Sequence, residues 1–181
     1  KALTYYDELL EDGTSHFDKL YKAVNALGEQ IRRVVKEDHD SLVASGLDFN
    51  LYSLVGGQLE KDEHHKLYMI YPQGNWVEVS QSTPYFIIGA SSYGKPLLDR
   101  SLRYNTPLEL ALKIGCLAFD STRASATDVD FPMDVVLYRQ DSYRMIEHRL
   151  SYDDLRELAA GWQQSIQQSV QKAPEDWMQP I

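Results

Sequence analysis

The stretch Pro84-Tyr85-Phe86-Ile87-Ile88-Gly89-Ala90-Ser91-Ser92-Tyr93-Gly94-Lys95-Pro96-Leu97-Leu98-Asp99-Arg100 decides how this chain is read. The apolar run Tyr85 to Ile88 predicts a strand. Gly89 breaks it, and the small polar loop Ala90-Ser91-Ser92 leads into a helix expected over Tyr93 to Leu102. A strand that ends at glycine and feeds a helix leaves backbone N–H groups available to an anion or an oxyanion. The same arrangement is how an ordinary layered domain turns a corner. The flanking elements have to choose between the two.

Upstream, Phe49 to Leu59, Lys66 to Tyr71, Trp76 to Val79 and Tyr85 to Ile88 are short runs rich in Tyr, Val, Ile and Leu. The connections between them have hairpin length and are too short for helical crossovers. Gly56-Gly57 inside a strand predicts a bulge or a close backbone approach, for packing as readily as for a ligand. His64 and His65 are adjacent in a charged turn with no third ligand at suitable spacing, so no metal site is expected.

Before these strands, Leu3 to Leu10 reads as a helix closed by Glu11-Asp12-Gly13. A second helix opens with a Ser15/Asp18 capping box and runs to near Gly46. Phe17, Leu20, Tyr21, Val24, Leu27, Ile31, Val34 and Val35 keep helical spacing on its buried face, with His16 and His39 at the surface. Downstream, Thr106 as N-cap, Pro107 at the first helical position and Glu109 announce a helix that is apolar nearly all round. Met133 to Arg139 and Tyr143 to Arg149 form a hairpin around Gln140-Asp141-Ser142. Ser151 with Asp154 opens a last helix bearing Leu155, Leu158, Ala159, Trp162, Ile166 and Val170 on one face. Pro174 ends it, and 174–181 is expected to be a loosely held tail. This order predicts a single α+β domain over 1–181 and excludes a doubly wound parallel sheet.

Composition narrows the function. Hydrophobic residues at 43% and charged residues at 25% exclude wholesale disorder. A net charge of -9 leaves no basic excess for nucleic acid or an anionic membrane, and neither is expected as a partner. The single cysteine, Cys116, lies in the apolar run 114–119 and reads as a buried thiol in a reducing, cytoplasmic setting. No stretch has the length of a membrane span, and no signal peptide is recognisable. The sequence opens on Lys1 and enters helix-like sequence at once, which suggests a fragment or a processed chain.

Self-contained chemistry is hard to find. Gly89 to Lys95 matches G-x-x-x-x-G-K, but Pro96 replaces the hydroxyl residue that would hold Mg²⁺ and removes a backbone donor. Hairpin-linked strands also lack the crossover such a loop needs, so no nucleotide or other cofactor is expected. Ser91 lacks the G-x-S-x-G frame, and His148 is the only histidine after it. Asp62-Glu63 and Asp153-Asp154 fall in a turn and at a helix start, where solvation and the helix dipole account for them.

A series of longer phrases points further. Asp48-Phe49-Asn50 leading to Val55-Gly56-Gly57-Gln58, Tyr71-Pro72-Gln73-Gly74-Asn75, Thr83-Pro84-Tyr85 leading to Ile88-Gly89, Tyr93 to Arg100, and Phe119-Asp120-Ser121-Thr122 follow one another in this order. Together they resemble the Anbu-type bacterial proteasome homologues, over about 48–143 closely and over the flanking helices by order and length. The resemblance implies a four-layer αββα fold of the N-terminal nucleophile hydrolase type, incomplete at its N-terminus. In that family the nucleophile is an N-terminal Thr or Ser whose own α-amino group is the base, tuned by an Asp and a Lys. Lys1 cannot fill that role, and Thr4 sits in helical sequence. The implied reaction is peptide-bond hydrolysis by a self-assembling, ring-shaped or helical particle, with the nucleophile outside this sequence.

The resemblance implies accessory roles here. Gly89 and Ala90 would belong to the substrate and oxyanion loop, and Ser91 or Ser92 would offer an accessory hydroxyl. The plain alternative is that these serines cap the helix near Tyr93. Before Met133 the sequence departs from the family: Ala124 stands where an Arg is usual, and Asp128-Val129-Asp130 replaces a Ser-x-Gly pattern. Added carboxylates beside a nucleophile's ammonium raise its pKa and weaken it as a base. A catalytically silent assembly subunit therefore stands beside the peptidase reading. Either way, apolar faces meant for an absent block of strands would be exposed, so the isolated chain is expected to be unstable or to aggregate.

Overall fold

The computed structural model describes residues 1–11 and 16–178. The elements run α1 (Ala2–Glu11), α2 (Leu20–Ala44), β1 (Ser53–Gly57), β2 (Lys66–Ile70), β3 (Trp76–Glu78), α3 (Lys95–Ser101), α4 (Leu108–Arg123), β4 (Met133–Tyr138), β5 (Met145–Leu150) and α5 (Tyr152–Gln171). A 3₁₀ turn over Asp176–Met178 follows within the expected tail, and 179–181 lie outside the described residues. The turn at Glu11-Asp12-Gly13 and the Ser15 capping box also fall largely or wholly outside them. The chain divides into two compact units, Lys1–Gly89 with Tyr138–Met145, and Ala90–Leu137 with Ile146–Ile181.

In the first unit β1, β2 and β3 form one antiparallel sheet in that order, with Val55 opposite Tyr68 and Tyr68 opposite Glu78. Helical spacing along α2 buries Leu20, Val24 and Ile31 against Tyr68 and Ile70 of β2. Val24, Ile31 and Ile70 are essentially inaccessible. Tyr68 meets the Trp76 ring edge-on at 5.0 Å, and burial ahead of the nearby Glu78 charge pushes its phenol up to about 12. The Trp76 indole N–H donates to Asn25 Oδ1 of α2 at 2.6 Å.

The start of α2 is held by tertiary contacts. The helix begins at Leu20, and Lys19 occupies the cap position without a side-chain hydrogen bond. Asp62, from the β1–β2 turn, instead accepts the Leu20 N–H at 2.9 Å and the Leu59 N–H at 3.0 Å. Asp18 bridges Lys22 and Lys61 at 2.7 and 2.9 Å, and those hydrogen bonds hold its carboxyl well below the usual carboxylate range. Further along α2, Gly28 faces Gly74 of the β2–β3 turn so closely that a Cβ on Gly28 would overlap the Gly74 carbonyl oxygen. Gly74 itself has φ +75, a conformation glycine adopts without strain.

Gln58 is buried at the end of this sheet region. It donates to Asp141 Oδ1 at 2.7 Å and accepts the Asp141 N–H at 2.8 Å, fixing a residue held at φ 60. The bulge expected at Gly56-Gly57 does not form, because pairing runs unbroken from Ser53↔Ile70 to Gly57↔Lys66. Gly56 is tight for a packing reason, with Leu67 Cδ1 3.3 Å from where its Cβ would be.

The expected strand Tyr85 to Ile88 is also corrected. The segment is half-buried through Ile87, yet it joins neither sheet. Apolar β-branched sequence becomes a strand only where a neighbour completes the ladder.

The second unit packs α3 and α5 on α4, whose Ile114, Cys116, Leu117, Ala118 and Thr122 are buried. The expected Thr106 cap does not form: α4 starts at Leu108, and Thr106 Oγ1 accepts the Arg103 N–H at 2.9 Å. At α5 the Ser151/Asp154 pair does form, Asp154 Oδ2 accepting both the Ser151 N–H and its hydroxyl at 2.7 Å. No residue of α5 is fully buried, and Ile166 and Val170 of its apolar face are 45% and 69% exposed.

Candidate functional site

The loop after Ile87 is built by two glycines with different jobs. Gly89 turns the chain at φ +84 with nothing within 4 Å of a hypothetical Cβ, so its need for glycine is conformational. Gly94 is buried, and a Cβ there would lie 2.8 Å from the Ala118 carbonyl oxygen and 3.1 Å from Thr122 Oγ1. Its need for glycine is close approach to α4. Thr122 Oγ1 donates back to Ala118 O at 2.9 Å, so that contact surface on α4 is already satisfied.

Between them lie Ala90, half-buried, and Ser91 and Ser92, both exposed. The plain alternative for the serines is corrected, because Gly94 is the N-cap of α3 and no side chain caps that helix. Both hydroxyls are without a hydrogen-bond partner among the described residues and face solvent. Lys95 pairs with Asp99 along the helix at 2.6 Å, and Pro96 occupies its first turn. A phosphate cradle needs that lysine over the loop and a hydroxyl residue where Pro96 stands, so this is not one.

No described residue supplies a nucleophile and its base together. His64 Nδ1 faces Gln140 at 3.2 Å and His148 is exposed on β5, so neither is hydrogen-bonded to a serine. Cys116 is buried, and burial pushes its thiol up, away from the thiolate. No group of three His, Cys, Asp or Glu among the described residues is arranged to hold a metal ion. Among them also, no helix is long and apolar enough to cross a membrane.

The segment before β4 carries a cluster that sequence reading passed over. Arg123 pairs with Asp120 Oδ1 at 2.9 Å and lies 5.5 and 5.4 Å from the rings of Phe131 and Tyr152. Phe131 in turn meets Phe119 edge-on at 5.5 Å. The signal in the sequence was an arginine ending a largely apolar helix ahead of Phe131, while Tyr152 at the start of α5 joins the cluster only through the fold. Next to it, Ala124 ends α4 and is exposed, as are Asp128 and Asp130, the latter accepting the Phe131 N–H at 2.8 Å.

No protein-family model matches the chain, and no curated protein does. Solved structures do. A Gly-1 mutant of Anbu from Hyphomicrobium sp. strain MC1 is 34% identical with a TM-score of 0.86, over 96% of this chain and 74% of that one. Anbu, an ancestral β-subunit, from Yersinia bercovieri is 34% identical with a TM-score of 0.85 over the same shares. The Anbu complex from Pseudomonas aeruginosa, solved as a helical assembly, is 32% identical with a TM-score of 0.86, over 96% and 73%.

The chain belongs to the Anbu family.

It is thus a proteasome-like subunit with the α+β, N-terminal nucleophile hydrolase type of fold. The Anbu phrases of the sequence occupy structural positions that explain them. Pro72 to Asn75 is the turn pressed on Gly28, and Tyr93 to Arg100 carries the glycine pressed on α4. In this Anbu chain the Gly89–Ser92 loop offers free hydroxyls and an exposed turn, with no reacting group of its own.

Proposed function

We propose that this chain is the greater part of a self-assembling, cytoplasmic Anbu subunit that hydrolyses peptide bonds through an N-terminal Thr or Ser lying outside the 181 residues. The observation that carries this reading is the match to Anbu structures over 96% of the chain and about three quarters of theirs. The nucleophile's hydroxyl attacks the scissile carbonyl, its own α-amino group takes the proton and passes it to the departing amine as the peptide C–N bond breaks, and water then cleaves the acyl-enzyme that remains. Gly89 and Ala90 would present backbone N–H groups to the oxyanion, and Ser91 or Ser92 would accept or relay a hydrogen bond at the same place.

The alternative, a catalytically silent assembly subunit, is favoured by the exposed carboxylates of Asp128 and Asp130 in the segment where the family pattern is neutral. Beside a nucleophilic ammonium they would hold its proton more tightly and remove the base. The helical assembly of the Pseudomonas aeruginosa complex supports self-assembly on either reading.

Sequencing the N-terminus of the protein purified from its host separates the two. A mature chain starting with Thr or Ser upstream of Lys1, followed by an Asp and a Lys, is the expected result. A complete gene product without such a residue would overturn the peptidase reading and leave the silent one. A particle that stays monomeric under the electron microscope would overturn both.

A further inference from the structure

The first unit contains an open cavity of about 440 Å³ that neither the peptidase nor the assembly reading uses. Its lining is Arg32, Val35, Lys36, His39 and Asp40 of α2 with Pro72 and Gln73 of the β2–β3 turn. Cavities of this size suit small organic molecules. The floor is apolar: Pro72 is buried and Val35 is half-buried in the core's margin.

The wall is cationic in a chain of net charge -9. Arg32 Nη1 donates to Gly74 O at 2.9 Å, which fixes the guanidinium plane and leaves its other N–H groups for a ligand. Lys36, one turn on, makes no ion pair among the described residues. The neighbouring acids of α2 are engaged elsewhere, Glu37 with Tyr5 and Arg33, Asp38 with Lys1. Among the residues lining the cavity, Asp40 is the one carboxylate beside the two cations. The cavity is also built rather than incidental, since Gly28 and Gly74 admit no side chain and hold the turn against the helix.

We infer that this cavity binds a small organic acid, with one carboxylate on Arg32 and Lys36 and an aliphatic or aromatic body over Pro72 and Val35. Two cations facing one carboxylate leave a single net positive charge, which suits a monoanion. A phosphate dianion would lack an apolar partner for the floor and would meet Asp40 with a second negative charge. A guanidinium with a fixed plane suits the flat, two-oxygen carboxylate.

Equilibrium dialysis of the complete subunit purified from its host against 4-phenylbutyrate, with inorganic phosphate in parallel, tests this. Saturable uptake of one molecule per chain in the millimolar range or tighter is expected, with phosphate weaker. Lys36→Ala, an exposed change, should weaken binding about fivefold, and Asp40→Asn should tighten it about threefold, the scale of single charge contacts at a surface. The second variant gains binding, so loss of fold cannot mimic it. Uptake that does not saturate, that ignores both substitutions, or that phosphate matches would overturn the inference.

Discussion

The two units of this chain use their apolar residues differently. In the first, α2 lies across a three-stranded sheet and leaves Val24, Ile31 and Ile70 inaccessible to water. In the second, α4 buries Ile114, Cys116, Leu117 and Ala118 but α5 has no buried residue, and Val136 of the hairpin and Val170 of the last helix are 57% and 69% exposed. The first unit closes a core, with Leu3, Val43 and Leu47 left 67%, 64% and 60% exposed outside it, whereas the last helix of the second unit buries no residue at all. Exposed apolar area of that kind marks contact surface. That contrast is what an assembly subunit should show.

The largest effects should come from breaking the closed core. Ile70→Ala should cost about 4 kcal/mol of unfolding free energy, because it removes a fully buried side chain and leaves a cavity. Ile166→Ala on α5 should cost less than about 0.5 kcal/mol in the isolated chain. Denaturant titration checks both, and equal losses would abolish the contrast.

Next are the two close glycine contacts, one in each unit. Gly28→Ala drives a methyl into the Gly74 carbonyl, and Gly94→Ala drives one against Ala118 O. Both neighbours are backbone and cannot rotate away, so each should cost about 2–3 kcal/mol. For a chain of this size that lowers Tm by roughly 4–12 °C. A neutral Gly94→Ala would mean that α3 is held only loosely on α4.

Asp62→Ala should follow at about 1–2 kcal/mol, since it frees the Leu20 and Leu59 N–H groups together. Urea titration of this variant beside Ser151→Ala compares a cap supplied across the fold with a local one, and the distant cap should matter more because it ties helix to turn.

The capping comparison also shows what sequence could and could not tell. Ser151 and Asp154 are three residues apart, so their reciprocal bonds were legible. The cap of α2 comes from Asp62, 42 residues away from Leu20, and no local pattern announces it. Thr106 looked like a cap because Pro107 follows it, but its hydroxyl found the nearer Arg103 N–H. Strand propensity at Tyr85 to Ile88 is legible in the sequence, but the segment pairs with no neighbour. The partner that makes a strand is a tertiary fact. In the loop, Gly89 was conspicuous because it ends an apolar run, while the glycine that packs is Gly94. The exposure of Ser91 and Ser92 depends on which residue caps α3, which the sequence left open.

The smallest expected effect is on the acid limb of stability. Asp18 is held charged by Lys22 and Lys61, so its folded value lies below the ordinary 3.8. Its contribution is complete above 3.8, erodes as pH falls past it, and is gone below the depressed folded value. Asp18→Asn should therefore flatten the fall of Tm in that window and leave the slope near neutrality unchanged. An unaltered acid limb would show the bridge to be too solvated to count.

The central claim is that the Gly89–Ser92 loop is an accessory to a nucleophile that these 181 residues do not contain. The most direct test is to treat the particle purified from its host with an electrophilic peptide that acylates N-terminal nucleophile hydrolases, then locate the adduct by peptide sequencing. The account predicts modification of an N-terminal Thr or Ser upstream of Lys1, with yield lowered by Ser91→Ala or Ser92→Ala. An adduct on Ser91 or Ser92 itself would contradict it.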